Sequence, residues 1–159
     1  MLDQLDAKPL AAKHVIPLLH HSSDELQETA IAVATRHPEW ADAICEDFER
    51  SIFNDRHPQL RHIKTLAQLL PAYLSQSAGR NLLTRLIQWK DHPKMATEFA
   101  PLVIGASPGV KLEPDWIAPL RANLNSSSHE VVSRTVAALT TLKAVEFDSK
   151  LAEYGNDVG

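Results

Sequence analysis

The feature that most constrains this chain is a self-similarity that recurs about every 35 residues. Ser22-Ser23-Asp24-Glu25-Leu26 and Ser127-Ser128-His129-Glu130-Val131 match at an offset of 105, three times 35, which calls for two copies between them. These stand at Asp55-Arg56-His57-Pro58-Gln59-Leu60-Arg61 and at Asp91-His92-Pro93-Lys94-Met95. The first inward apolar residue of each copy is then Leu26, Leu60, Met95 and Val131, at separations of 34, 35 and 36. A period of this length marks a supersecondary unit that cannot bury its apolar face alone and must stack on its neighbours.

Each copy reads as a helix start. Ser22 and Ser127 stand three residues before Glu25 and Glu130, the capping-box spacing, and Pro58 and Pro93 suit a first helical turn, where no backbone donor is missed. The segments that follow keep the 3.6 period: Leu26, Ala30, Val33 and Ala34; Leu60, Ile63, Ala67 and Leu70; Met95, Phe99, Leu102 and Val103; Val131, Thr135, Ala138, Leu139 and Leu142. An amphipathic segment precedes each one, led by Val15, Leu18 and Leu19, by Trp40, Ile44, Phe48 and Ile52, by Leu83, Leu86 and Ile87, and by Ile117, Leu120 and Leu124. Short loops make each pair antiparallel. The expected fold is therefore all-α, a single domain over 1–159 built as an α-α superhelix, or α-solenoid, of about four antiparallel helix pairs. The pairs fall at 9–36, 39–70, 79–106 and 114–142, and 143–159 forms a C-terminal tail or partial cap. Pro101 falls inside the second helix of the third pair and should kink or break it.

Composition agrees with this reading. Hydrophobic residues are 44% and charged residues 23%, an ordinary globular balance, while only 6% are aromatic and only 5 are Gly, which favours helix over sheet. The net charge of −4 argues against a dedicated nucleic-acid binder. Charge is uneven, however: Glu39, Asp42, Glu46, Asp47 and Glu49 form a run without a base, and 56–94 holds seven basic residues against Asp91. The single Cys45 allows no intrachain disulfide, the start lacks a basic and apolar leader, and no window reaches the length of a membrane span. Cytoplasm is the default compartment, with an extracytoplasmic one expected if the chain is a segment of a longer secreted protein.

With these turns in view, the chain resembles the HEAT-repeat family, whose units carry an aliphatic first helix, a tight turn with Asp and Pro, then an aliphatic residue followed by Arg. Asp55-Arg56-His57-Pro58-Gln59-Leu60-Arg61 fits that turn closely. His21 and Ser126 stand where the family favours Asp, and Gln27, Ala96 and Val132 where it favours Arg. The similarity runs from Pro9 to Leu142 and implies scaffolds, adaptors and protein-binding surfaces, because the motif specifies shape without activity. The style of sequence is also similar to HEAT segments of large bacterial proteins that contain a dehydrogenase-like propeller and a c-type haem domain. No Cys-x-x-Cys-His occurs here to attach such a haem.

Residues that could carry chemistry all have a plainer structural role. The 8 histidines include His21, His57, His92 and His129 near equivalent turns, but neighbouring helices lie about 8 to 10 Å apart, too far for successive repeats to share one metal. His57 and His62 are five apart and point to different faces, and His20 with Asp24 straddles a turn. Cys45 lies beside the stripe of Trp40, Ile44 and Phe48, where a buried inert thiol is expected. Asp42, Glu46 and Glu49 have the spacing of a solvated helix face, and Ser22, Ser23, Ser127 and Ser128 that of helix caps. Trp40 and Trp116 fit packing positions, whereas Trp89 falls off its stripe beside Lys90 and should be partly exposed. No catalytic, cofactor or metal centre emerges.

What remains is surface. Second helices commonly line the concave side of such solenoids, and there Arg61, Lys64, Gln68 and Arg134 point away from the core by periodicity. Together with Trp89 they are the candidate partner-binding residues. The expected function is a non-enzymatic scaffold, spacer or protein-binding module, with a modest basic groove for an acidic peptide. The alternatives are a nucleic-acid binder using the basic 56–94 stretch and a structural segment of a larger protein that self-associates through exposed solenoid ends. Leu151 and Tyr154 are the apolar residues available to cap the C-terminal end.

Overall fold

The computed structural model describes residues 10–53 and 60–143, apart from the side chains of Leu60 and Arg61. Among these residues the protein is all helical, without a strand. No described helix is long and apolar enough to cross a membrane. The helices gather into two compact units, up to Ala78 and from Gly79.

The first unit contains α1 (Ala12–Leu19), α2 (Asp24–Ala34), a 3-10 turn at Pro38–Trp40, α3 (Ala41–Phe53) and α4 (Leu60–Tyr73). α1 packs on α2 and on α3, and α4 packs on α2 and α3, so first helix meets first helix and second meets second. The reason lies in the stripes: Val15 and Leu19, Ala30 and Ala34, and Ile44, Phe48 and Ile52 are buried at spacings of three or four. Phe48 is fully buried; truncating such a ring to Ala costs about 3–5 kcal/mol. In α4 the buried set is Leu66, Leu69, Leu70 and Tyr73, with Ile63 and Ala67 half-buried, so its stripe is turned by about one position from the expected one.

The second unit contains α5 (Ser77–Ile87) from Gly79 onward, a π turn at Met95–Phe99 that continues into α6 (Ala100–Gly105), α7 (Pro114–Leu124) and α8 (His129–Leu142). α6 packs on α8 at Gly105, where an added Cβ would lie 3.8 Å from the Cα of Ala138, at van der Waals contact. α7 is joined to α5 by the Trp116 indole, whose Nε1 donates to Thr84 Oγ1 at 2.9 Å, while Thr84 itself donates to the carbonyl of Arg80 at 2.9 Å. An ion pair from Arg80 of α5 to Glu113, the residue before α7, at 2.8 Å lies beside it.

Pro101 corrects one expectation. The helix neither breaks nor ends there; it widens, because the Ala100 amide reaches back five residues to the carbonyl of Met95. One extra residue in that turn shifts every later side chain by one position. Leu102, expected inward, is 50% exposed, and Ile104 is buried in its place. In this wider register the carbonyl of Ala96 would await the amide of residue 101, which proline lacks. Asn123 of α7 supplies the substitute, its Nδ2 donating to that carbonyl at 2.9 Å.

The caps are shifted as well. Ser23 and Ser128, not Ser22 and Ser127, stand at the N-caps, accepting from the amides of Leu26 and Val131 at 3.4 and 3.5 Å. Glu25 and Glu130 therefore occupy the second helical position, where they favour the positive helix end without closing a capping box. Leu26 consequently faces outward at 44% exposure, and Gln27 is buried instead, its Nε2 donating to the carbonyl of Leu19 at 2.6 Å. Leu18 is likewise exposed, at 37%. Pro58 lies outside the described residues, and Pro93 stands just before the helical segment and not inside its first turn.

Candidate partner-binding groove

In the first unit the packing of α2 on α4 leaves a groove of about 460 Å³ between their outer faces. Asp24, Gln27, Glu28 and Ile31 form one wall, at the three-and-four spacing that aligns side chains along a helix. Lys64, Thr65 and Gln68 form the other. Gln27 and Thr65 are buried and make the floor; Asp24, Glu28, Lys64 and Gln68 stand at the rim, exposed. The hydrogen bond from Gln27 to Leu19 ties this floor to the end of α1.

Of the five residues picked from sequence, the structure brings Lys64 and Gln68 together in this groove. The side chain of Arg61 lies outside the described residues. Trp89 and Arg134 belong to the second unit, where each has a local partner. The Trp89 ring is half-buried with its centroid 4.0 Å from that of His92, and the Arg134 guanidinium donates to Glu130 at 2.5 Å one helical turn away. The groove also differs in charge from the expected basic one: Asp24 and Glu28 face the same space as Lys64. Asp24 and Glu28 lie on α2, outside the set of outward residues that the sequence pattern singles out. The repeat offset of 34 maps Thr65 onto Ile31, the signal that places α2 on the opposite wall.

The chain matches no family model, no curated protein and no solved structure.

Elsewhere the polar groups answer to structural needs. Tyr73 Oη donates to the carbonyl of Ala34 at 2.8 Å and Thr141 Oγ1 to that of Gly105 at 3.3 Å, so that, with Gln27, buried or half-buried side chains satisfy carbonyls at three helix ends. His14 and His21 accept from the amides of Ala11 and Ser23. His37 is paired with Glu39 at 2.6 Å and stacked on Trp40 with ring centroids 3.9 Å apart. Cys45 is 3% exposed, and burial, helped by the charge of Asp42, pushes its thiol up to about 12. Glu46 pairs with Arg50 at 2.7 Å on an exposed face.

One cluster was not anticipated. His20, at the end of α1, donates through Nε2 to Asp47 Oδ2 of α3 at 2.6 Å, with its ring 5.1 Å from Phe48 and edge-on to His62 at 4.7 Å. A carboxylate only accepts, which fixes this direction. The other ring nitrogen, Nδ1, is buried and meets no hydrogen-bond partner among the described residues. The pair joins α1 to α3, and the His62 ring brings α4 into the same cluster. Among the described residues no three metal-ligating side chains gather.

Proposed function

We propose that this chain is a non-enzymatic protein-binding module in which the α2–α4 groove receives an extended segment of a partner protein. The observation that carries the reading is the groove itself, a polar cleft of about 460 Å³ with exposed charged residues on both walls and a buried floor. It falls within the roughly 300–1,000 Å³ range of ligand-sized clefts. In this reading the helix pairs are successive HEAT-like units of an α-solenoid, and the second helices provide the binding side. The use of buried polar groups to satisfy helix carbonyls, and a thiol held in its neutral form, support a scaffold over an enzyme.

Selection of a displayed library of random hexapeptides on the immobilised protein, followed by competition, tests this. Binders are expected to lose at least about tenfold in affinity on Gln68→Trp, which fills an exposed position of the groove. Selected peptides indifferent to that substitution would move the site elsewhere, and a library yielding no binders would overturn the reading.

A further inference from the structure

The groove carries an acid and a base on facing walls, Glu28 on α2 and Lys64 on α4, that do not pair with each other. Neither pairs with another described side chain. Asp24, one turn before Glu28, adds a second negative charge to the α2 wall. A carboxylate and an ammonium held apart across a cleft present complementary sites to a ligand that brings both signs, and resist one that brings only either.

The dimensions set the ligand's length. From Asp24 to Ile31 the α2 wall rises seven residues, about 10 Å at the helical rise. An extended chain covers that in about three residues, and its side chains two apart project to the same side. We infer that the groove selects an extended peptide segment in which a basic and an acidic side chain stand two residues apart, the basic one set against Asp24 and Glu28 and the acidic one against Lys64. The main chain between them runs over Gln27 and Thr65, beside the Gln68 amide, and Ile31 provides apolar contact at one end. This rests on the peptide-binding reading above and adds its specificity.

The test titrates the isotope-labelled full chain with acetylated and amidated pentapeptides whose central residues are Lys-Ala-Glu, Glu-Ala-Lys, Lys-Ala-Lys, Glu-Ala-Glu or Gln-Ala-Gln, following the backbone amides of Ile31, Thr65 and Gln68 by NMR. At least one mixed-charge order is expected to bind about fivefold more tightly than either single-sign peptide, as befits partly exposed ion pairs. In Lys64→Glu the preference should pass to Lys-Ala-Lys, and in Glu28→Lys to Glu-Ala-Glu; both substitutions are at exposed positions, and the same spectra report the fold. If all peptides shift the groove amides alike, or the preference ignores both reversals, the charge inference is overturned while the peptide groove stands. If no peptide shifts these amides in the wild type, both are overturned.

Discussion

The bond from Asn123 to the carbonyl of Ala96 makes a prediction that can be worked through. Pro101 cannot donate, the π turn has drawn the Ala100 amide to Met95, and Asn123 Nδ2 at 2.9 Å completes the pairing of Ala96. Asn123→Ala removes that donor from a buried side chain and leaves a part-buried carbonyl unpaired. An unsatisfied buried acceptor costs about 1–3 kcal/mol; with partial solvent access the expected loss is about 1–2 kcal/mol. The reasoning assigns the need for Asn123 to Pro101, so restoring an amide by Pro101→Ala should make the same Asn123→Ala substitution cheaper. The four proteins form a double-mutant cycle, read by urea unfolding followed by circular dichroism. A coupling of at least about 0.5 kcal/mol is expected for groups in one network. Equal cost of Asn123→Ala with and without Pro101 would refute the account, and so would a cost below about 0.3 kcal/mol, within the error of additivity.

Four further outcomes follow from the same structure. Cys45, raised from 9.0 to about 12 by burial, should react with a thiol reagent at mildly alkaline pH about a thousandfold more slowly than a free cysteine, its rate rising to the free value in denaturant. Because Cys45 and the buried phenol of Tyr73 are both raised above their ordinary 9.0 and 10.0, their contribution to stability is full below those values. It declines as pH climbs from there toward the folded values, so urea midpoints should fall above about pH 9 and fall less in Tyr73→Phe. Glu39 is lowered from 4.5 chiefly by its hydrogen bond with His37; its contribution holds above 4.5 and is lost as pH drops through the lower folded value. NMR titration of its carboxyl should show that shift, and His37→Ala should shrink it to the smaller part that the backbone hydrogen bond supplies. Finally, Ser23→Ala and Ser128→Ala should each cost about 0.5–1 kcal/mol, at the low end for caps because their bonds are long, while Ser22→Ala and Ser127→Ala stay within about 0.5 kcal/mol of wild type.

Periodicity carried the helices but not their finer rotation. Ile44, Phe48 and Ile52 are buried as read, because α3 is an uninterrupted α-helix whose stripe needs only the 3.6 period. Leu102 was misplaced since a π turn changes the count of residues per turn, and Pro101 signalled a disturbance without saying whether the helix would break or widen. Leu26 was misplaced by one residue of capping register: Ser22 and Ser23 are chemically alike, and only the geometry shows which one caps. At the site, Lys64 and Gln68 were legible as outward residues of α4. Asp24 and Glu28 were not, because which surface of α2 meets α4 is a matter of tertiary packing. The same limit hid His20 and Asp47, 27 residues apart and joined only when α1 lies on α3.

The bonds from side chains to otherwise unpaired helix carbonyls have a direction in time. Gln27 serves Leu19, Tyr73 serves Ala34, Asn123 serves Ala96 and Thr141 serves Gly105: in every case the donor lies later in the chain than the carbonyl it satisfies. A polypeptide emerging from the ribosome exposes each acceptor before its donor exists, so the earlier helix of each such pair finishes forming only when the later one arrives. Within each unit, truncation from the C-terminal side therefore leaves the remaining helices with unanswered carbonyls, and maturation of the first-made segments waits on the last.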